Sequence, residues 1–275
     1  MICGIAISIW LFKVITFEIN RLMKYFCLVL LFTAKAFFLL NNPIFAKTIP
    51  NYDALNSKNN ISIDSEITQK EVITYDGIDS VLNTFKVTTF EELDQEYLKF
   101  SGYDQWPRKT KMQHRNFYSI VGSDSLKYLV GKFKVEDFLP KDSLCYQNIG
   151  QQKENYIRYL CIDTCVLHRF LDLILLLREN GYLDAFTIND GYRYPSFNKR
   201  TGGVLYSQHM FGNAIDLAIG DINGDGVFEE NKDKWIVIKY LENYIIKDTG
   251  GVGRYPGSNV VHFDTRGIRA RWDEQ

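Results

Sequence analysis

The chain has 275 residues, of which 46% are hydrophobic and 24% charged, and its formal net charge is −1. That is ordinary globular composition, long enough for one good-sized domain and an N-terminal extension. With no basic stripe interleaved with aromatics, nothing points to nucleic acid as a partner.

Residues 1–46 read as an export signal. Two apolar runs, Ile2–Phe12 and Phe26–Leu40, are present, Arg21 and Lys24 precede the second, and Phe45-Ala46 before Lys47 supplies a cleavage point. A basic segment, an apolar segment and a small residue at the cut make the secretory pattern. Met23, just ahead of Lys24, is an alternative start. The other reading is an uncleaved anchor, against which Lys35 counts because it interrupts the second run. Residues 47–70, rich in Asn, Ser and Asp, read as a linker. Up to residue 150 the chain offers short strand-like runs, Glu71–Tyr75 and Tyr128–Val135, and no motif with a chemical role. The expected organisation is a signal or anchor over 1–46, a region of unassigned role over 47–150, and a chemically active domain over 151–275.

Cys3 and Cys27 fall in the export segment, which leaves Cys145, Cys161 and Cys165. Three cysteines permit one disulfide and one free thiol. Cys161 and Cys165, four apart on an expected helix, are poor partners for each other, so Cys145 pairs with one of them in this reading. A cysteine zinc knuckle is not expected, since no second CxxC-type pair exists.

From Tyr156 to Glu179 apolar residues recur at helical spacing, and Asn180-Gly181 gives a stop. Short strands follow at Phe186–Ile188 and Ala214–Leu217, with a turn at Asp190-Gly191. An amphipathic helix is expected over Asp233–Ile246, with Trp235, Ile238, Leu241 and Ile245 on one face. The Gly250–Gly253 run breaks it, and Val260–Asp264 is a last strand. Irregular alternation with hairpin-length gaps argues for an α+β fold, a small antiparallel sheet flanked by helices.

Four histidines occur, and two have unusual surroundings: Ser207–Asp216 and Val260–Asp264. Side chains alternate faces in a strand, so His262 and Asp264 point one way while Val261 and Phe263 point into the core. Two polar groups on one strand face are costly unless something satisfies them. Catalytic zinc takes three ligands from His and carboxylates and keeps a fourth position open, so His209, Asp216 and His262 form a candidate set. A plain core or surface role is the competing reading for a single His–Asp spacing of seven. Ser207 two residues from His209 makes no triad, and the Gly250–Gly253 run lacks the Lys-Ser/Thr of a phosphate loop.

Ser207–Asp216 fits SxHxxGxAxD and His262–Asp264 fits HxD. Together with Gly191–Asn198, which resembles a GYRSPxxN segment, and with Gly250–Gly257 and Arg269–Trp272, these stretches resemble the M15 family of zinc D-alanyl-D-alanine carboxypeptidases and murein peptidases. The resemblance covers about residues 155–272. It implies a Hedgehog/DD-peptidase-like fold, zinc on His209, Asp216 and His262, and peptidoglycan stem or cross-link peptides as substrate. The export segment places such an enzyme in the periplasm or cell envelope, with membrane contact only through that segment if it stays uncleaved. Arg193 resembles the arginine that steadies a substrate carboxylate or developing oxyanion, a use suited to the guanidinium fork, and a structural salt bridge is its other reading. Ser207 orients a ligand, touches substrate or caps a turn. Many relatives carry Glu or Asp three residues before the last histidine, where this chain has Asn259. Asp264 is the substitute, either as general base or as the group that holds the His262 imidazole. Asn259 also keeps open a non-catalytic zinc-binding module.

Asp221, Asn223 and Asp225, followed by Gly226, match the start of a calcium loop, which makes calcium a second candidate cation. Position 12 is Lys232, where a bidentate Glu belongs, so Glu229 or Asp233 would have to stand in. The alternative is an Asx-rich turn.

Overall fold

A computed structural model describes residues 71–143 and 157–273. The export segment, the linker and Cys145 lie outside the described residues. Residues 67–275 cluster as one compact unit, and one apolar core runs from Ile78 to Phe263. Among the described residues no helix is long and apolar enough to cross a membrane.

In the first half the strands are β1 (Lys86–Thr88), β2 (Phe117–Val121), β3 (Tyr128–Val130), β4 (Phe133–Lys134) and β5 (Ile157–Cys161). β2 lies between β1 and β5, antiparallel to both, and β3–β4 is a hairpin. The sequence expectation of a helix from Tyr156 is corrected here: Ile157–Cys161 is a strand and the helix is Thr164–Glu179. Apolar spacing over so few residues does not separate helix from buried strand, and pairing with β2 decides it. Asp163 caps the helix by accepting the Cys165 N–H at 2.9 Å. Cys161 therefore ends a strand, buried, while Cys165 is exposed on the helix.

The second half holds β6 (Phe186–Asp190), β7 (Ala214–Ile219), β8 (Gly251–Gly253), β9 (Val260–Asp264) and β10 (Ala270–Trp272). Their order is β10-β8-β9-β7-β6. Four strands are antiparallel, and β10 joins β8 parallel at the edge. The sheet is thus mixed where an antiparallel one was expected, and the α+β reading stands. β8 occupies the glycine run that was expected only to break a helix.

One face of this sheet meets the Thr164–Glu179 helix. Phe170 sits with its ring centroid 5.7 Å from Phe186 and 6.2 Å from Phe263, and Ile215, Leu217 and Val261 are fully buried. Burying one such side chain contributes about 1.5–3 kcal/mol. The expected helix at the second break runs as Trp235–Tyr240, flanked by π-helical turns Glu230–Lys234 and Leu241–Ile245. Ile238, Leu241 and Ile245 are buried as expected, but Trp235 is half exposed.

Because strand neighbours alternate, the residues between those apolar ones share the opposite face. The register lines up one row across all five strands: Asp190 opposite Asp216, Asp216 opposite His262, His262 opposite Gly253, and Gly253 opposite Trp272.

Candidate metal centre

Two members of the row, Asp216 and His262, are joined by His209 from a separate turn. His209 lies in the 3-10 turn Gln208–Phe211, which Ser207 opens by accepting the His209 N–H at 3.4 Å. Gly212 closes the turn at φ +71, where a Cβ would sit 2.4 Å from the Cys161 carbonyl oxygen. Only glycine fits there, which explains the small residue between His209 and Asp216.

His209 Nε2 lies 3.1 Å from Asp216 Oδ1 and 3.2 Å from His262 Nδ1, and His262 Nδ1 lies 2.7 Å from Asp216 Oδ1. All three residues are buried, and they are the one group of potential ligands found to converge among the described residues. Tetrahedral bonds of 2.0–2.1 Å place ligand atoms about 3.3 Å apart, so the observed triangle is already near that spacing.

The other nitrogen of each ring is committed. His209 Nδ1–H donates to the Gly191 carbonyl at 2.6 Å, and His262 Nε2–H donates to Asp264 Oδ2 at 3.0 Å. These bonds fix the tautomers that leave His209 Nε2 and His262 Nδ1 as lone pairs aimed at one point. Three lone-pair atoms facing one another need a cation or a proton between them, so the residues fit a metal such as zinc.

In the metal-free chain a proton fills that need. Burial works to lower the His262 pKa, but hydrogen bonds to Asp216 and Asp264 overcome it and raise it to about 9. Burial would raise the Asp216 carboxyl, yet the two imidazoles hold it well below the usual carboxylate range.

Asp264 is fully buried and lies behind the His262 ring, on the side away from the other two ligands. Its oxygens accept from Gly251 N at 3.1 Å, from Arg266 N at 3.0 Å and from Arg266 Nη2 at 2.6 Å. Burial pushes its pKa up, while His262 and Arg266 more than reverse this and keep it ionised far into acid. Arg193 Nη2 bridges Asp190 Oδ2 at 2.7 Å and Asp216 Oδ2 at 2.8 Å, so the salt-bridge reading of this arginine is realised. Its Nε is buried without a partner. Asn259 donates its Nδ2 to the Ile219 carbonyl at 3.1 Å and serves the strand edge.

Sequence reading missed Asp190, Arg266 and the position of Trp272. The Trp272 ring packs 5.1 Å from His262, and a Cβ on Gly253 would lie 2.7 Å from it. The spaced glycines of β8 were the available signal: they let an indole lie flat over the sheet. Arg193, His209, Asp216, His262 and Trp272 all line a cleft of about 550 Å³.

The candidate calcium residues gather in the loop that follows β7, where their oxygens accept hydrogen bonds. Asp221 accepts from Gly224 N and Gly226 N at 2.7 Å each, Asn223 Oδ1 from Asp225 N at 2.9 Å, and Asp225 Oδ1 from Val227 N at 3.1 Å. Asp233 accepts from Ile222 N, Asn223 N and Glu229 N. These are the hydrogen bonds of an Asx-rich turn.

Residues 160–272 match the family described as Peptidoglycan L,D-endopeptidase MepK. The match supports the M15 peptidase family and a peptidase that hydrolyses peptidoglycan. No curated protein and no solved structure matches the chain.

Proposed function

We propose that this chain is an exported, zinc-dependent peptidase of the cell envelope that cleaves peptidoglycan cross-link or stem peptides, and that it acts as an endopeptidase. The observation that carries the proposal is the buried triangle of His209 Nε2, Asp216 Oδ1 and His262 Nδ1, no edge longer than 3.2 Å, at the floor of a cleft. Two nitrogens and one oxygen suit zinc, whereas calcium takes six to eight oxygens.

When bound, zinc supplies Lewis-acid polarisation of a scissile carbonyl and of the attacking water. The chain's own residues do the rest. Arg193 holds the second oxygen of Asp216 and keeps the remaining guanidinium N–H groups for a substrate oxygen. Asp264 orients the His262 ring from behind, and of its two candidate roles this is the one its position favours. Ser207 caps the turn that presents His209.

The endopeptidase reading draws on charge. The cations lining the cleft are Arg193 and Arg266, and each is paired with a carboxylate: Arg193 with Asp190 and Asp216, Arg266 with Asp264. A terminal carboxylate would find no uncommitted positive charge among them, while an internal peptide carbonyl needs only an N–H donor. The L,D-endopeptidase description of the matching family agrees.

A non-catalytic zinc module is the second reading. Its support is that Asp216, already paired, is the only carboxylate among the residues lining the cleft. Incubating the purified protein with muropeptides, with and without a chelator, separates the two. Chelator-sensitive cleavage of an L,D bond is expected; retained zinc with no product at any pH would leave the module.

A further inference from the structure

The Tyr255–Ser258 segment forms part of the cleft wall. Tyr255 has φ +39, a conformation that residues with a Cβ rarely adopt. Such a backbone persists only where its surroundings over-determine it. Here the Tyr255 carbonyl accepts three hydrogen bonds, from Lys234 Nζ at 2.7 Å, Ser258 N at 3.2 Å and Ser258 Oγ at 3.0 Å.

Lys234 is itself unusual, a lysine only 1% exposed. Its ammonium also donates to the Ser258 carbonyl at 2.7 Å and to Glu230 Oε1 at 2.9 Å. The Glu230 carboxylate in turn receives the Gly257 N–H at 3.1 Å. Burying an ammonium is expensive unless every proton is satisfied, and all three protons go to this one loop or to the residue that ties it. A loop that only joined β8 to β9 would place glycine at the strained position. A tyrosine forced into it is held there for its side chain.

That side chain is half-buried and shares the cleft with Arg193, His262 and Trp272.

We propose that Tyr255 contacts the substrate, donating its phenol O–H to an acyl oxygen of the bound peptide, and that Lys234 is the positioning residue that aims it. The substrate class rests on the peptidase reading above. The contact itself needs no metal, so it is measurable on zinc-free protein.

The test uses the full chain, chelator-treated, titrated calorimetrically with a purified peptidoglycan tetrapeptide stem. Tyr255→Phe weakens binding about three- to tenfold, the loss of one hydrogen bond, with zinc content after reloading and Tm unchanged. In the zinc-loaded chain it lowers kcat/KM at least as much. Lys234→Met gives the same loss, and the double variant is no worse than either single one. Tyr255→Gly loses binding but melts higher, because the backbone strain is relieved; a merely structural tyrosine would melt lower. Should Lys234→Met fail to fold, the two Tyr255 variants decide alone. Tyr255→Phe binding within about twofold of a parent that binds the peptide overturns this inference only. A parent that neither binds nor cleaves any stem peptide overturns the peptidase reading and this inference with it.

Discussion

Two regions of this chain read as cation sites by residue type and spacing, and the fold treats them in opposite ways. In the Asp221–Asp233 loop the carboxylates of Asp221, Asp225 and Asp233 accept backbone N–H groups and so shape a turn. At His209, Asp216 and His262 the hydrogen bonds come from behind, to Gly191 and Asp264, and leave lone pairs facing inward. A ligand set is therefore recognised by which atoms remain after local hydrogen bonding is complete, rather than by which residue types are present.

The sharpest way to break the comparison is to remove a ligand. His209→Ala and His262→Ala each take bound zinc from one per chain to near zero and abolish cleavage; metal analysis of the purified variants reads this directly, and stoichiometric zinc in either would refute the ligand set. A second test uses pH. His262 is raised from 6.5 to about 9 in the metal-free fold. Its protonation therefore stabilises that fold fully below pH 6.5, and the stabilisation disappears as pH rises through about 9, a loss on the order of 3 kcal/mol. The metal-free chain should melt lower at pH 9.5 than at pH 6.5. The zinc-loaded chain, in which the same nitrogen is occupied, should not; equal behaviour of the two forms would contradict the shared site.

Smaller effects sharpen the contrast. Asp264→Asn keeps the ring's environment but weakens its orientation, and zinc affinity should fall about 10- to 100-fold. Competition against a chelating dye measures it, and an affinity equal to the parent's would remove Asp264 from the site. Asp221→Ala deprives the Gly224 and Gly226 N–H groups of their acceptor and should lower stability by about 1 kcal/mol. The drop in Tm should be the same with and without calcium, and a drop seen only with calcium would restore the cation reading.

Much of the centre was legible because its logic is local. The alternation of Val261, His262, Phe263 and Asp264 defines two faces through strand periodicity alone, and Gly212 marks the tight turn after His209. What escaped is non-local. Ile157–Cys161 is a strand because β2 lies beside it, and its own apolar residues suit either element. The β8 glycines looked like a breaker because what makes them a strand, Asp264 and Trp272 lying against them, comes from later in the chain. Asp190 and Lys234 are ordinary charges in sequence, and only the sheet register and the buried loop contacts give them partners.

The most direct measurement is X-ray absorption at the zinc edge of the purified protein. The account predicts a first shell of nitrogen and oxygen atoms at about 2.0–2.1 Å with the outer-shell scattering of two imidazoles. Sulfur at about 2.3 Å, a shell without imidazole scattering, or no bound zinc at all would contradict it.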